Sequence, residues 1–195
     1  MTKLNILLVG VGGQGILTTS AILARAALNS GVNVVTAETH GMAQRGGSVE
    51  VHVRFGDVHS PLIPYGGADV VVALELVEAV RYAHYLSDKT LVILNNRKIV
   101  PTTVSAGLAK YPEFDEVLSA LKEVTETVRV VDASKIAQEV VGNVVATNVV
   151  VVGMLAKLVD LPVSYESLER AVSEVFPEKL VESNLKALKA GFESV

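Results

Sequence analysis

The stretch Leu4-Asn-Ile-Leu-Leu-Val-Gly-Val-Gly-Gly-Gln-Gly15 decides the fold. Leu4–Val9 is an apolar run bounded by glycine, the pattern of a strand buried on both faces of a parallel sheet. The glycine turn Gly10-Val-Gly-Gly-Gln-Gly15 then opens onto Ile16–Leu28, where apolar residues recur at helical spacing until Asn29-Ser-Gly31 supplies a stop. A second apolar run, Val32–Ala37, completes a βαβ unit.

Outward from that unit the chain keeps alternating strand and helix. Ser48–Phe55 sets Val49, Val51, Val53 and Phe55 against Ser48, Glu50, His52 and Arg54, which predicts a strand with one wet face, turned back as a hairpin by Gly56-Asp57. Ala68–Leu74 and Thr90–Leu94 read as buried strands with a helix over Glu75–Leu86 between them. Val128–Val131 is a further strand, followed by a helix that Asp132 caps and Gly142 ends. Val144–Leu155 is interrupted by Thr147 and Asn148 and falls short of the ~18–20 apolar residues of a membrane span, so it reads as a buried helix. Two amphipathic stripes close the chain: Leu168, Ala171, Val172 and Val175 behind a Ser164 cap, then Val181, Leu185, Leu188 and Phe192 behind Pro177. The expected architecture is one α/β domain over 1–195, a single doubly wound, mostly parallel, Rossmann-like sheet with a β-hairpin insertion and a helical C-terminus.

Composition narrows the function. The chain has 195 residues, half of them hydrophobic, and a net charge of −4. Without a Lys/Arg cluster it lacks an electrostatic footprint for nucleic acid or anionic membrane. It contains no cysteine, so it can form no disulfide and can hold no cysteine-ligated zinc or iron–sulfur cluster. Any redox metal must sit on another chain. The opening residues lack the charged, apolar and cleavage regions of an export signal, and a cytoplasmic protein is expected.

In Gly10-X-Gly12-Gly13-Gln14-Gly15 the glycines permit a tight turn, close approach of backbone to a ligand, and packing of helix on strand. The helix start offers free N–H groups to a phosphate or carboxylate. Glu38 ends the second strand, where a ribose-binding acid would sit. Dinucleotide binding, binding of another anion or cofactor tail, and close packing with no ligand at all remain open. The loop Glu38-Thr-His-Gly-Met-Ala-Gln-Arg-Gly-Gly47 is more specific. It gathers His40, Gln44 and Arg45 among glycines, and Arg45 can grip a carboxylate or phosphate with a bidentate fork. The alternative is a surface loop whose Arg45 pairs with Glu38 or Glu50. The candidate ligand set is therefore Gly10, Gly12, Gly13, Gln14, Gly15, Glu38, Gly46 and Gly47, with His40, Gln44 and Arg45 as cleft residues.

Elsewhere His52 and His59 could meet on the polar face of the hairpin, although two histidines without a third ligand rarely hold a metal. His84 reads as a surface or half-buried helix residue, and Asn95-Asn-Arg97 as a polar loop, or else a lining of the same sheet edge. No nucleophile elbow, Ser/His/Asp order or P-loop lysine occurs. No self-sufficient catalytic constellation and no metal site are expected.

The glycine turn, the Glu38–Gly47 loop, and Ser60-Pro-Leu-Ile63 followed by Ala68-Asp-Val-Val-Val-Ala-Leu-Glu75 together resemble the gamma-type domain of 2-oxoacid:ferredoxin oxidoreductases across nearly the whole chain. His-Gly-Met-Ala-Gln ahead of Arg45-Gly-Gly47 is similar to the indolepyruvate type, in contrast to the Tyr-Gly-Pro-Glu version usual in pyruvate and 2-oxoglutarate members. The resemblance implies a small beta subunit. Its larger alpha partner would carry thiamine diphosphate, Mg2+ and [4Fe-4S] clusters, and the complex would convert an aryl 2-oxoacid, CoA and oxidised ferredoxin to acyl-CoA, carbon dioxide and reduced ferredoxin. Gly56-Asp57-Val58 does not match the Gly-Asp-Gly start of a thiamine diphosphate–magnesium motif. The turn and loop would then complete a cleft against the partner. A gamma-type subunit for pyruvate, 2-oxoisovalerate or 2-oxoglutarate is the first alternative, and an autonomous NAD(P)-binding Rossmann protein the second.

Overall fold

A computed structural model describes residues 3–40 and 46–195, the side chain of His40 excepted. Strand β1 (Leu4–Val11) runs through the glycine turn into α1 (Ile16–Asn29), followed by β2 (Val34–His40) and β3 (Ser48–Phe55). The middle of the chain gives β4 (Val70–Ala73), α2 (Leu76–Arg81), β5 (Leu91–Asn95), the short α3 (Thr102–Ser105), α4 (Phe114–Lys122) and β6 (Thr127–Val131). Helices α5 (Ala133–Val141), α6 (Thr147–Leu158), α7 (Tyr165–Val175) and α8 (Glu178–Glu193) complete it.

The described strands form one sheet in the order β2-β3-β1-β4-β5-β6. β1, β4, β5 and β6 are parallel neighbours, whereas β3 is antiparallel to both β1 and β2. β2 therefore points the same way as β1, and the expected βαβ crossover is present with β3 slotted between its strands. Alternate residues of β1 serve two cores. Ile6 and Leu8 pack with α1 and α5–α8, and Leu7 and Val9 pack with α2 and α4.

Two expectations are corrected. The hairpin is β2–β3, joined across residues 41–47, and Gly56 (φ +92°) turns the chain without starting a partner strand. The second face of β3 is not wet: His52 is fully buried, and Glu50 and Arg54 are half-buried. The segment after Phe55 lies over that face because its backbone finds polar partners there. Arg54 Nη1 donates to the carbonyls of Ser60 (2.7 Å) and Leu62 (2.9 Å), its Nε donates to Asn5 Oδ1 (2.9 Å), and Ile63 N–H donates to His52 Nδ1 (3.2 Å). The alternation of polarity is real, but Ser48, His52 and Arg54 are bonded within the protein rather than left to solvent.

The helix over Glu75–Leu86 is shorter than expected, ending at Arg81 and continuing as a 3-10 turn at Ala83–Tyr85. Ser164 and Gly142 cap as expected, and Asp132 stands at the start of α5 without a side-chain capping bond.

Candidate functional site at the carboxyl edge of the sheet

The helix after β1 packs on one face of the sheet and the helix after β4 on the other, so the direction of winding reverses between β1 and β4. In open α/β sheets the ligand crevice lies at that point, outside the carboxyl ends of the strands. Here a side chain of the chain itself spans it. Gln14 Oε1 accepts from Val11 N–H (2.7 Å) while Gln14 Nε2 donates to the Leu74 carbonyl (2.8 Å), tying the end of β1 to the end of β4. Asn95 Nδ2 donates to the same carbonyl (3.1 Å) and to Ser134 Oγ (3.0 Å), and Thr147 Oγ1 donates to Ser134 Oγ (3.2 Å). A continuous polar floor thus crosses the carboxyl ends of β1, β4, β5 and β6.

The glycines of the turn do different jobs. Gly15 sits at the start of α1 with φ +79°, and a Cβ there would lie 2.5 Å from Asn148 Nδ2, so it answers both a left-handed backbone and the approach of α6. Gly12 is stitched to the foot of the loop: its N–H donates to the Gly47 carbonyl (2.7 Å) and its carbonyl accepts from Gly46 N–H (3.3 Å). These bonds extend the β1–β3 ladder beyond its last pair, Val11 with Ser48. Ser48 then docks on α2, donating to Glu78 and lying 2.8 Å from the Tyr82 hydroxyl. Burial pushes the Tyr82 phenol up, which keeps it neutral. The loop therefore re-enters the fold at a fixed point beside the glycine turn, having left it at the end of β2 on the far side of β3. Gln44 and Arg45 themselves lie outside the described residues, as does the side chain of His40.

Glu38 is not brought to the turn. Its register partner is Val51 of β3, which in turn faces Leu8 of β1. It stands two strand spacings, roughly 9.5 Å, from β1 and short of its end, and it is exposed. The intervening β3 removes the adjacency on which a ribose-binding acid depends. His52 and His59 are likewise separate: the first is buried, and the second is exposed beside Asp57 (3.6 Å). No group of three or more metal-ligating side chains occurs among the described residues.

What the edge does offer is a cavity of about 300 Å³ above the polar floor, lined by Gly12, Gly13, Gly46, Arg97, Ser134 and Val145 among others. Arg97, in the stretch read as a polar loop, lines the same space as the glycine turn. Beyond its place in the family-like stretch, nothing local to Glu75 in the sequence marks it as an organising residue. It is buried, accepts from Val77 N–H (2.7 Å), Glu78 N–H (3.2 Å) and Ile99 N–H (3.1 Å), and takes a further bond from the Tyr111 hydroxyl. Burial first, and then the Glu75 carboxylate, raise the Tyr111 phenol well above its ordinary range.

Residues 5–194 match the pyruvate ferredoxin/flavodoxin oxidoreductase family. The chain is 62% identical to an indolepyruvate oxidoreductase subunit IorB of Archaeoglobus fulgidus, covering 97% of this chain and 94% of that one. It is 32% identical to a pyruvate/ketoisovalerate oxidoreductases common subunit gamma of Pyrococcus furiosus, with 94% and 92% covered. Among solved structures, the gamma subunit of a keto/oxoacid ferredoxin oxidoreductase from Geobacter sulfurreducens superposes with a TM-score of 0.72 at 26% identity, over 97% of this chain and 96% of that one. The chain belongs to the pyruvate ferredoxin/flavodoxin oxidoreductase family.

Proposed function

We propose that the chain, acting as one domain over 1–195, is the small subunit of an indolepyruvate-type oxidoreductase and closes the active-site cleft of a larger subunit. The observation that carries this reading is its 62% identity to the Archaeoglobus indolepyruvate subunit over nearly the full length of both, against 32% to a pyruvate/ketoisovalerate gamma subunit. The geometry agrees with a dependent role, because Gln14 spans the crevice that a self-sufficient nucleotide-binding sheet keeps open.

In such a complex, decarboxylation rests on the carbanion chemistry of thiamine diphosphate with Mg2+, and electron transfer to ferredoxin rests on [4Fe-4S] clusters. A chain without cysteine leaves the clusters to the larger subunit. This chain's own part is positioning. Gly12 holds Gly46 and Gly47, Ser48 is held by Glu78, and the stretch just ahead of those anchors brings His40, Gln44 and Arg45 to the substrate, CoA or the partner. The cofactor-binding set of Gly10, Gly12, Gly13, Gln14 and Gly15 becomes a support for that loop, and Glu38 has no part in nucleotide binding.

The test is anaerobic reconstitution of the tagged chain with its larger subunit, followed by CoA-dependent reduction of a viologen dye with indolepyruvate, pyruvate or 2-oxoglutarate. Activity greatest with indolepyruvate, and absent from the chain alone, is expected. Preference for pyruvate or 2-oxoglutarate overturns the aryl assignment, and NAD(P) binding by the isolated chain overturns the subunit reading. In the assembled enzyme Arg45→Ala is expected to lower kcat/KM roughly tenfold or more, the loss of one charge-assisted hydrogen bond.

A further inference from the structure

Between β5 and α4 the chain makes an excursion that its own fold does not need. From Asn96 to Lys110 no residue is buried, and α3 within it buries nothing. Leu108 is 81% exposed, and Val100 and Val145 of the neighbouring α5–α6 connection are exposed too. Yet the segment is ordered at its base. Leu76 N–H donates to the Arg97 carbonyl (3.1 Å), Glu75 takes the N–H of Ile99 and the hydroxyl of Tyr111, and Lys98 Nζ lies 4.3 Å over the Tyr111 ring. A buried carboxylate thus clasps both ends of a projecting finger, residues 97–111.

The finger's chemistry differs from the rest of the surface. Arg97, Lys98 and Lys110 are its only charged residues, in a chain whose net charge is −4. Ile99 and Arg97 at its base line the same cavity as the glycine turn and Gly46, so the finger rises from the edge that carries the loop. Exposed leucine and valine on an ordered, cationic projection mark a surface built to be covered.

We propose that this finger is a docking element that seats on an apolar, acid-rimmed surface of the larger subunit, a second contact beside the His40–Gly47 loop. This rests on the subunit reading above. The charge of the finger selects an acidic rim and Leu108 supplies the anchor, so association is both area-dependent and salt-sensitive.

The experiment titrates the purified larger subunit with the full-length chain and compares wild type, Leu108→Asp, Lys98→Glu/Lys110→Glu, and Leu28→Asp, a control at the exposed end of α1. Because Leu108 and Lys110 make no contact that the fold depends on, unchanged melting of Leu108→Asp is expected; the charge reversal also removes the Lys98–Tyr111 contact and is expected to melt slightly lower, so its binding is compared well below its melting point. Both finger variants should weaken association roughly tenfold or more, the charge reversal less so at high salt, with Leu28→Asp like wild type. Finger variants that bind as wild type does, or no more weakly than Leu28→Asp, overturn the docking role. A wild-type chain that does not bind the larger subunit at all overturns the subunit reading itself.

Discussion

Two places in the molecule depend on glycine, and they differ in what stands opposite. In the turn after β1, a Cβ on Gly10 would meet the ends of Gln14 and Ile16 at 2.8 Å, a Cβ on Gly15 would meet the Asn148 amide, and Gly13 would meet nothing within 4 Å. Between α6 and α8, a Cβ on Gly153 would overlap the Leu188 carbonyl oxygen and one on Gly191 the Val150 carbonyl oxygen. The first set faces side chains that can swing away, the second backbone that cannot. The motif that announces itself in sequence is the more tolerant of bulk, and the two unannounced glycines let a buried helix lie backbone to backbone on its neighbour.

The largest expected effect follows. Gly191→Ala or Gly153→Ala forces α6 and α8 apart in a layer where Thr147–Leu155 are all buried. We expect a loss of about 3 kcal/mol or more, a melting point lower by roughly 6–12 °C, with Gly13→Ala costing less. Thermal melting of the three variants checks it; a Gly13→Ala chain that melts below the other two would reverse the comparison, placing backbone strain at φ +103° above steric overlap.

The same contrast explains how much could be read in advance. β1, α1, β4, β5 and the two closing helices were legible because periodicity and caps are local. β3 was legible as a strand, but its partner was not, since Gly56-Asp57 carries a turn signature whichever strand it follows. α4 was missed although Glu116 Oε2 accepts from Glu113 N–H (2.7 Å), the bond that a Glu113-x-x-Glu116 spacing forms at a helix start. At the site, the glycines and the loop are visible in sequence, while Gln14 reads as a ligand contact because its partner, Leu74, is 60 residues away. Gly153 and Gly191 left no local signature, because the backbone each one meets belongs to the other helix.

Gln14 sharpens the comparison from the tolerant side. Gln14→Ala frees Val11 N–H but leaves the Leu74 carbonyl with Asn95, so a cost of about 1–2 kcal/mol is expected. Gln14→Glu keeps an acceptor for Val11 but turns an oxygen toward the Leu74 carbonyl in place of a donor. Glu should therefore be the worse of the two despite its closer shape. If Gln14 positions the turn, the assembled enzyme loses kcat with both variants while subunit affinity holds. Equal turnover in wild type and variants would make it a structural tie only.

The smallest effect concerns pH, on the face the strap of residues 57–63 covers. His52 is fully buried, its Nδ1 takes the Ile63 N–H, and its Nε2 has no hydrogen-bond partner among the described residues. Burial, reinforced by the charge of Arg54, holds this imidazole below the ordinary 6.5. A depressed histidine binds its proton more readily in the unfolded chain. Its contribution is therefore intact above about pH 6.5 and is lost as pH falls below it, by at most about 1.4 kcal/mol per pH unit. Glu50 works against this: burial raises its carboxyl, and its Oε1 lies 3.9 Å from Nε2, so a carboxylate still charged there would pair with protonated His52, while Tyr85 meets the ring edge-on without charge. His52→Asn keeps an acceptor for Ile63 and removes the titration. Melting from pH 8 to pH 5 should bring wild type down relative to this variant; parallel curves would mean that Glu50 receives the charge as soon as His52 acquires it, and that the sealed face of β3 tolerates an ion pair.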